Sequence, residues 1–281
     1  VIGRAVNWGY QYHLQMDGFN TLLVIIMYSL QLYFDFSGYC DMANGIGYIF
    51  NIELPINFNS PYKAKSVVDF WSRWHMTLTR FFTKYLYIPL GGNRKGLIRT
   101  YVNVLIVFLV SGLWHGANWT FIFYGMFYFV LIFIENITED PIKKLAAKLH
   151  INRESKGYRV FQMVKMFVII NVGELFFRAD TLTDGFAMLG KIVTNFNITE
   201  LIYKITLLKM DAADLIIAAI GIIIVAIVGK LHEKGVKIRE AIAGWNIVAR
   251  WSLWYAGAVV VVLFGAYGVG YTIVEMIYAG Y

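Results

Sequence analysis

Residues 102–119 read VNVLIVFLVSGLWHGANW, and they indicate a chain that is embedded in a membrane. The first part, residues 102–113, is an apolar run that a lipid bilayer can bury. His115 follows, between two glycines. An imidazole at membrane depth costs free energy unless a polar cavity or a partner surrounds it, so a functional role is the default hypothesis. The alternative is a neutral core histidine bonded to a backbone carbonyl.

A second histidine stands upstream in a similarly aromatic setting. Residues 70–75 read FWSRWH, so His75 ends this motif. Taken alone, His75 is either a histidine at the cytoplasmic interface or a second catalytic group. A basic turn, YIPLGGNRKG at residues 87–96, lies between the two histidines. Its basic side chains suit an anionic ligand such as a phosphorylated carrier, and equally the anionic headgroups of lipids.

The composition supports the membrane interpretation. Of 281 residues, 58% are hydrophobic and only 15% are charged, whereas about 25% are charged in an ordinary soluble domain. The mean hydropathy is +0.57. The single cysteine, Cys40, excludes a disulfide within the chain. Because the sequence begins at Val1 without a methionine or a signal-peptide pattern, we expect a single membrane domain over residues 1–281 that is an N-terminally truncated fragment of a longer chain.

Apolar runs predict an all-α, polytopic fold. The candidate spans are residues 19–36, 101–117, 119–134, 160–177, 215–228 and 251–271. Two further segments do not suit a span. Residues 43–52 are apolar but short, which favours a half-buried or re-entrant piece over a span. Residues 67–86 carry aromatic side chains at three- and four-residue steps, which predicts an amphipathic helix in the plane of the interface.

The loops alternate in charge. Residues 55–100 hold eight Lys or Arg against one acid, residues 137–160 six against three, and residues 230–250 five against two. Residues 178–214 are nearly neutral, with four Lys or Arg and five acids. Positively charged loops mark the cytoplasmic side, so the three basic loops are predicted to face the cytoplasm and the neutral loop the opposite side.

Other polar side chains fall within or beside the apolar runs. On a helical continuation past His115, Ser111 and Asn118 share its face, where they are able to fix the tautomer of a general base. Asp35 and Asp41 need partners at membrane depth, for which the arginines of the interfacial helix are candidates. Glu174 and Arg178, spaced i,i+4, are interpreted as a structural pair that neutralises itself. No metal-ligand spacing stands out, so an enzyme and a transporter both remain possible.

Four motifs in order resemble those of the membrane-bound O-acyltransferase (MBOAT) family. They are YFDFSGYCDMA at residues 33–43, FWSRWH at 70–75, YLYIPLGGNR at 85–94 and GLWHGA at 112–117. FFRA at residues 176–179 resembles a later motif of the bacterial alginate O-acetyltransferase branch, which includes peptidoglycan O-acetyltransferases. The PLGGNR loop looks more like that branch than like the teichoic-acid D-alanyl transferases of the same family.

The resemblance implies acyl transfer from a cytoplasmic thioester donor to a hydroxyl acceptor through a tunnel in the membrane. His115 matches the catalytic histidine of the family and His75 its second histidine. Candidate substrate-binding residues lie in or beside the motifs: Trp71, Arg73, Trp74, Arg94, Asn118, Asp35 and Asp41. We expect no bound cofactor, since acetyl coenzyme A or a similar thioester serves as the donor substrate.

The hypothesis that follows is an O-acetyltransferase of the bacterial inner membrane, acting on an extracytoplasmic polysaccharide of the alginate or cell-wall type. Besides membrane lipid and the polysaccharide, a separate extracytoplasmic protein is an expected partner, and no nucleic acid is. Two alternatives stay open. One is D-alanyl transfer to teichoic acid from a carrier protein, and the other is a transporter or flippase in which His115 relays protons.

Overall fold

A computed structural model describes residues 2–199 and 208–264 of the chain. Those residues form helices and connecting turns, and the described part contains no β-strand. Five of the helices are long and apolar enough to cross a membrane. The predicted all-α, multi-pass membrane architecture is therefore confirmed.

The helices divide between two units. The first unit ends at Asp214 and the second begins at Leu215. The helices of the first unit are α1 (Ile2–Gln11), α2 (Gly18–Ile49), α3 (Val67–Trp71), α4 (Met76–Phe82), α5 (Leu97–His115), α6 (Trp119–Lys148), α7 (Lys156–Arg178) and α8 (Leu182–Thr194). Short 3₁₀ turns lie at His13–Gln15 and Pro61–Lys63, and a π-helical turn lies at Thr83–Tyr87.

The core of the first unit forms where α2, α6 and α7 meet. Helix α2 packs against α1, α7 and α8, while α6 packs between α5 and α7. The α5–α6 contact is unusually close. A β-carbon on Gly112 would overlap the backbone carbonyl of Phe121, and one on Gly125 would overlap that of Phe108. Small residues of this kind let two membrane helices pack backbone against backbone.

Helix α2 corrects one prediction. Residues 43–52 do not form a separate re-entrant piece, because α2 continues without a break over Gly18–Ile49. The chain turns only after the helix ends, where Asn51 adopts a left-handed φ of 56° and the Ile52 amide donates to the Gly47 carbonyl at 2.8 Å. Gly47 therefore marks the turn beyond the helix rather than an interruption within it.

The amphipathic helix predicted over residues 67–86 is also wrong as a single element. It is broken at residues 72–75 into α3 and α4, and His75 takes a left-handed φ of 44°. The break is stabilised by an incoming strand-like segment. The Asn59 amide donates to the Arg73 carbonyl at 2.9 Å, and the Met76 amide donates to the Asn57 carbonyl at 3.1 Å. These bonds satisfy backbone groups that a continuous helix would have paired internally.

In the second unit, α9 (Ala212–Glu233) begins just before the boundary and is followed by α10 (Ile238–Ala243) and α11 (Ile247–Phe264). Helix α9 confirms the span predicted at residues 215–228. The span predicted at residues 251–271 is described only as far as α11 reaches, and its remainder lies outside the described residues. The prediction of one membrane domain over residues 1–281 stays a prediction.

Candidate active site

The two histidines come together around one tryptophan. The ring centroid of Trp114 lies 4.8 Å from that of His115 and 6.1 Å from that of His75. Forty positions separate the histidines in the sequence. They meet because the break between α3 and α4 places His75 against the end of α5. The fold thus assembles one site from the two histidine motifs.

His115 is the last residue of α5 and is 5% exposed. Aromatic rings from two other helices surround it. The ring centroid of Phe177 on α7 lies 4.9 Å away, and those of Phe121 and Tyr124 on α6 lie 6.2 and 6.3 Å away. An imidazole in such a wall is shielded from bulk water, which suits a base that acts on a bound hydroxyl group.

Gly116 ends α5 directly after His115. Its φ of 153° is disfavoured for residues with a side chain, and a β-carbon there would lie 2.7 Å from the ring of Phe121. Both the backbone conformation and the available space therefore require glycine. The sharp turn fixes the direction in which the His115 ring leaves the helix.

The predicted role of Asn118 is wrong in its geometry. Because α5 ends at His115, Asn118 is not on a helical continuation with Ser111, which remains one turn before His115 on α5. Instead, Asn118 is the N-cap of α6: its side-chain oxygen accepts from the Thr120 amide at 3.2 Å, and its Nδ2 donates to the Asp180 carbonyl at 3.0 Å. Its observed role is to fix the turn beside His115.

His75 is held in an apolar setting by Phe36 of α2, whose ring centroid lies 4.7 Å from the imidazole. Burial lowers the pKa of His75 from 6.5 to about 4, so the ring is neutral at physiological pH. Left-handed backbone in a residue other than glycine is strained and is concentrated at functional sites. The strained backbone of His75 and its ring contacts with Phe36 and Trp114 therefore both indicate a functional site at this residue.

His75 and the basic turn, which were both predicted at the cytoplasmic interface, lie at opposite ends of α5. Trp114 lies 17 residues after Leu97, which places it about 25 Å along α5 at 1.5 Å per residue. His75 touches Trp114, so it lies near the end of α5 that is opposite to Leu97. The segment between α2 and α5 therefore runs along α5 instead of lying flat at its Leu97 end.

The aromatic residues of the FWSRWH motif pack into the core. Trp74 is 3% exposed and packs on Phe70 and Phe58. Trp71 packs edge-on against Tyr128, with ring centroids 5.1 Å apart. Arg73, between the two tryptophans in sequence, instead binds polar groups.

The Arg73 guanidinium donates to Asp69 at 2.6 Å and to the Asn59 carbonyl at 3.2 Å. It stabilises the break between α3 and α4, and it does not pair with Asp35, which is exposed on α2 with Gln31 as its side-chain partner. Asp41 is exposed one and a half turns further along α2. The predicted bridges from these acids to the motif arginine are therefore not formed by Arg73.

The basic turn lies at the opposite end of α5 from His115. Gly91, Gly92 and Gly96 all have positive φ values, and Arg94 and Lys95 are exposed. Asn103 on α5 anchors the turn. Its fully buried side chain donates to the Gly92 carbonyl at 2.8 Å and to the Leu90 carbonyl at 3.4 Å.

Glu174 and Arg178 do not form the predicted pair. Arg178 donates to the Asn7 side chain at 3.2 Å, lies over the ring of Tyr10 and approaches Asp180 at 3.9 Å. Glu174 is 1% exposed inside the core. The i,i+4 spacing failed as a guide because the Arg178 guanidinium finds its partners on α1, whereas the Glu174 carboxyl stays buried in the core.

A family model described as MBOAT, membrane-bound O-acyltransferase family, matches residues 7–172. The chain belongs to this family. The match includes both histidines and the basic turn. The part of the chain that defines the family is therefore the part in which His75 and His115 come together.

Curated MBOAT relatives differ in their acceptors. A peptidoglycan O-acetyltransferase of Helicobacter pylori is 43% identical over 187 residues, covering 66% of this chain and 34% of that protein. A probable alginate O-acetylase AlgI of Azotobacter vinelandii is 37% identical over 204 residues, covering 72% and 38%. A teichoic acid D-alanyltransferase of Bacillus subtilis is 35% identical over 155 residues, covering 51% and 39%. The chain thus spans 34–39% of the length of these relatives.

Sequence reasoning missed several residues of this MBOAT site. Trp114 lies in the GLWHGA motif and Phe177 in the FFRA motif, so motif membership was an available signal, but neither side chain can act as a base. Asn103 interrupts an apolar run, which is a signal in a membrane helix. Tyr124 carries no comparable signal. Among residues 2–199 and 208–264, no cluster of His, Cys, Asp or Glu side chains suits a metal ion.

Proposed function

We propose that the chain carries the transfer site of an O-acyltransferase. In this proposal, an acetyl group moves from a cytoplasmic thioester to hydroxyl groups of a cell-surface polysaccharide outside the inner membrane. The observation that carries the proposal is the convergence of His75 and His115 on Trp114, near the end of α5 opposite the basic turn. Family membership and the names of the relatives support the reaction type.

His115 acts as the general base in this reaction. It takes the proton from the acceptor hydroxyl, whose oxygen attacks the thioester carbonyl. The carbon–sulfur bond then breaks, and the thiolate takes up the proton from His115, so atoms and charge balance without a metal or a redox partner. His75, which is neutral at physiological pH because burial lowers its pKa to about 4, adds no positive charge beside the base.

The donor approaches from the end of the basic turn. Arg94 and Lys95 are exposed there beside glycine amides with positive φ, a combination able to hold phosphate oxygens through charge-assisted bonds. Acetyl coenzyme A carries such phosphates. The segment 91–100 offers only Leu97 and Ile98 as apolar anchors for a docked carrier protein, so we favour a small thioester donor.

The acceptor approaches from the other end. The nearly neutral stretch 178–214 begins there at the end of α7, and the Asn118 side chain donates to the Asp180 carbonyl near its start. Relatives named for peptidoglycan and alginate support a polysaccharide acceptor. A separate extracytoplasmic protein is the proposed partner that presents it.

The test uses membranes of cells that express the full-length protein, washed free of cytosol and supplied with labelled acetyl coenzyme A. We expect label in ester linkage on glycan. His115→Ala should lower this by about 10²–10⁴-fold, the usual contribution of a general base. His232→Ala, at an exposed histidine of α9, is the matched control and should leave transfer unchanged.

Two results would overturn the proposal in different ways. Transport of the glycan without any ester-linked label would favour a transporter in which His115 relays protons. Transfer that appears only after a purified carrier protein is added back would favour D-alanyl-type chemistry, for which the 35% identity to a teichoic acid D-alanyltransferase is the supporting observation.

A further inference from the structure

Glu174 is a buried acid with no role in the transfer reaction proposed for His115. It is 1% exposed at the place where α7 faces α2 and α6. Within the described part of the chain, neither carboxyl oxygen accepts a hydrogen bond. A buried polar group without partners costs about 1–3 kcal/mol, and a charged one costs more. Native structures therefore rarely leave such groups unsatisfied.

Three polar side chains near Glu174, on α2, on α7 and in the 3₁₀ turn Pro61–Lys63, make hydrogen bonds to other partners. Ser29 lies beside the carboxyl, but its hydroxyl donates to Asn171 Oδ1 at 2.9 Å. The Tyr62 hydroxyl donates to the backbone carbonyl of Ser29. Asn171 donates to the Phe167 carbonyl at 2.7 Å. Ser29 and Tyr62 each have a single hydroxyl proton, and these bonds use both of them.

Two other hydroxyl groups near Glu174 are buried with their protons unused. They belong to Tyr10 on α1 and Tyr128 on α6, and neither has a hydrogen-bond partner among the described residues. Both lie within electrostatic reach of the Glu174 carboxyl. The Tyr128 hydroxyl lies over Gly173, where a β-carbon would come within 2.6 Å of it. Burial raises the pKa of Tyr10, so its hydroxyl keeps the proton and remains a donor.

A buried acid without a hydrogen-bond partner, with two buried donors that also have none in its surroundings, is a setting in which proteins hold an internal water molecule. We propose that Glu174, Tyr10 and Tyr128 bind one internal water molecule, and that Glu174 is thereby a positioning residue for His115. The burial of Glu174 favours water over the acceptor glycan, because a polysaccharide hydroxyl has no open route to a side chain that is 1% exposed.

Two short contact paths connect this water site to His115. The ring of Tyr128 packs edge-on against that of Tyr124 at 5.0 Å, and Tyr124 lies 6.3 Å from the His115 ring. Phe177, one turn after Glu174 on α7, packs against His115 at 4.9 Å. A water molecule that holds Tyr128 and this turn of α7 in place therefore also holds Tyr124 and Phe177, the two rings that pack beside the imidazole. This step rests on the proposed transfer reaction.

The test is a double-mutant cycle in the full-length protein. We expect Glu174→Leu to lower kcat by about tenfold and Tyr128→Phe by about fivefold, with the acceptor KM changed by less than about twofold. If one water joins the two groups, the double variant should lose about tenfold and not the product of about fiftyfold. Glu174→Gln keeps a polar group that can bind water and should stay within about twofold of the wild type.

Tyr101→Phe is the matched control, since Tyr101 packs on Phe133 away from this region, and it should leave kcat unchanged. Effects that multiply independently would overturn the shared water. A Glu174→Gln variant as slow as Glu174→Leu would show that the acid ionises in the reaction, and a rise in acceptor KM at constant kcat would show that the site binds the glycan; both overturn the proposal.

The same double-mutant cycle can be measured by protein stability, without an activity assay. The thermal unfolding midpoints of the four proteins in detergent should show the same non-additive pattern, because the water also satisfies buried groups in the resting fold. Coupling in stability together with an absence of acetyl transfer in the wild type would support the water site while refuting the proposed reaction. No coupling in either measurement, with wild-type transfer intact, would refute the water site alone.

Discussion

The side chain of Asn118 donates a hydrogen bond of 3.0 Å to the backbone carbonyl of Asp180. This bond ties the turn after His115 to the chain that leaves α7, so the GLWHGA and FFRA motifs are joined at one end of the bundle. The same side chain caps α6 through the Thr120 amide. One residue therefore fixes both sides of the turn that orients the candidate base.

Replacing Asn118 should separate its two roles. Asn118→Ala removes both bonds, so we expect a loss of about 1 kcal/mol from the cap and a clear loss of transfer. Asn118→Asp keeps the acceptor for the Thr120 amide but has no N–H for Asp180, so stability should largely recover while transfer stays low. Thermal unfolding and labelled-acetyl transfer measure the two effects. Full recovery of transfer in Asn118→Asp would show that the bond to Asp180 is dispensable.

Asn103 should control the affinity for the donor through the basic turn. Asn103→Leu fills the same space but releases the Leu90 and Gly92 carbonyls, so the turn loses its anchor. We expect a higher donor concentration at half-maximal transfer with little change in the limiting rate, and the same direction for Arg94→Ala. Asn93→Ala, at the exposed neighbour, serves as the control. A fall in the limiting rate alone would argue against a donor role for the turn.

Gly112 tests the close approach of α5 and α6. Gly112→Ala places a β-carbon on the Phe121 carbonyl, and such overpacking typically costs about 1–3 kcal/mol. Because Gly112 lies one turn before His115, we expect reduced transfer as well as a lower unfolding midpoint. Gly190→Ala is the control, since a β-carbon there meets open space on α8 and should leave stability unchanged or slightly raised. Equal behaviour of the two variants would contradict the close packing.

His75 should make the stability of the protein depend on pH. Its pKa is about 4 in the folded protein and 6.5 as the ordinary value, so between these pH values the unfolded chain binds more protons. Stability should therefore fall as the pH drops from 6.5 toward 4. His75→Gln should make the unfolding midpoint less dependent on pH over this window, whereas His232→Gln should leave that dependence unchanged. An unchanged slope in His75→Gln would show that the ring is not buried as neutral imidazole.

The orientation of the chain can be checked with single cysteines after Cys40 has been replaced. We expect cysteines at Lys148 and Lys234, in basic loops, to be shielded from an impermeant thiol reagent in intact cells. A cysteine at Asp184, in the nearly neutral loop, should react. The reverse pattern would place the basic turn outside the cell and would exclude a cytoplasmic donor at that turn.

Much of the fold followed from the sequence, because the hydrophobic effect acts on stretches long enough to be recognised locally. The apolar runs predicted the spanning helices α5, α6 and α7, and the motifs predicted the family. The boundaries were less certain, since polar residues such as those after residue 134 continue α6 as a helix beyond the apolar run.

Tertiary structure alone determined how the motifs combine. Helical periodicity continued through residues 72–75, yet the chain breaks there because Asn57 and Asn59 supply the backbone partners from outside the helix. That break places His75 beside Trp114, a contact that no local sequence pattern predicts.

The fate of the charged side chains was equally non-local. The spacing of Glu174 and Arg178 suits an ion pair, but Arg178 finds Asn7 and the ring of Tyr10 on α1, more than 160 residues away in sequence. Sequence spacing predicts which side chains are neighbours on the surface of one helix. Which of those groups point into the core depends on the helices that pack around it, and only the folded chain determines that.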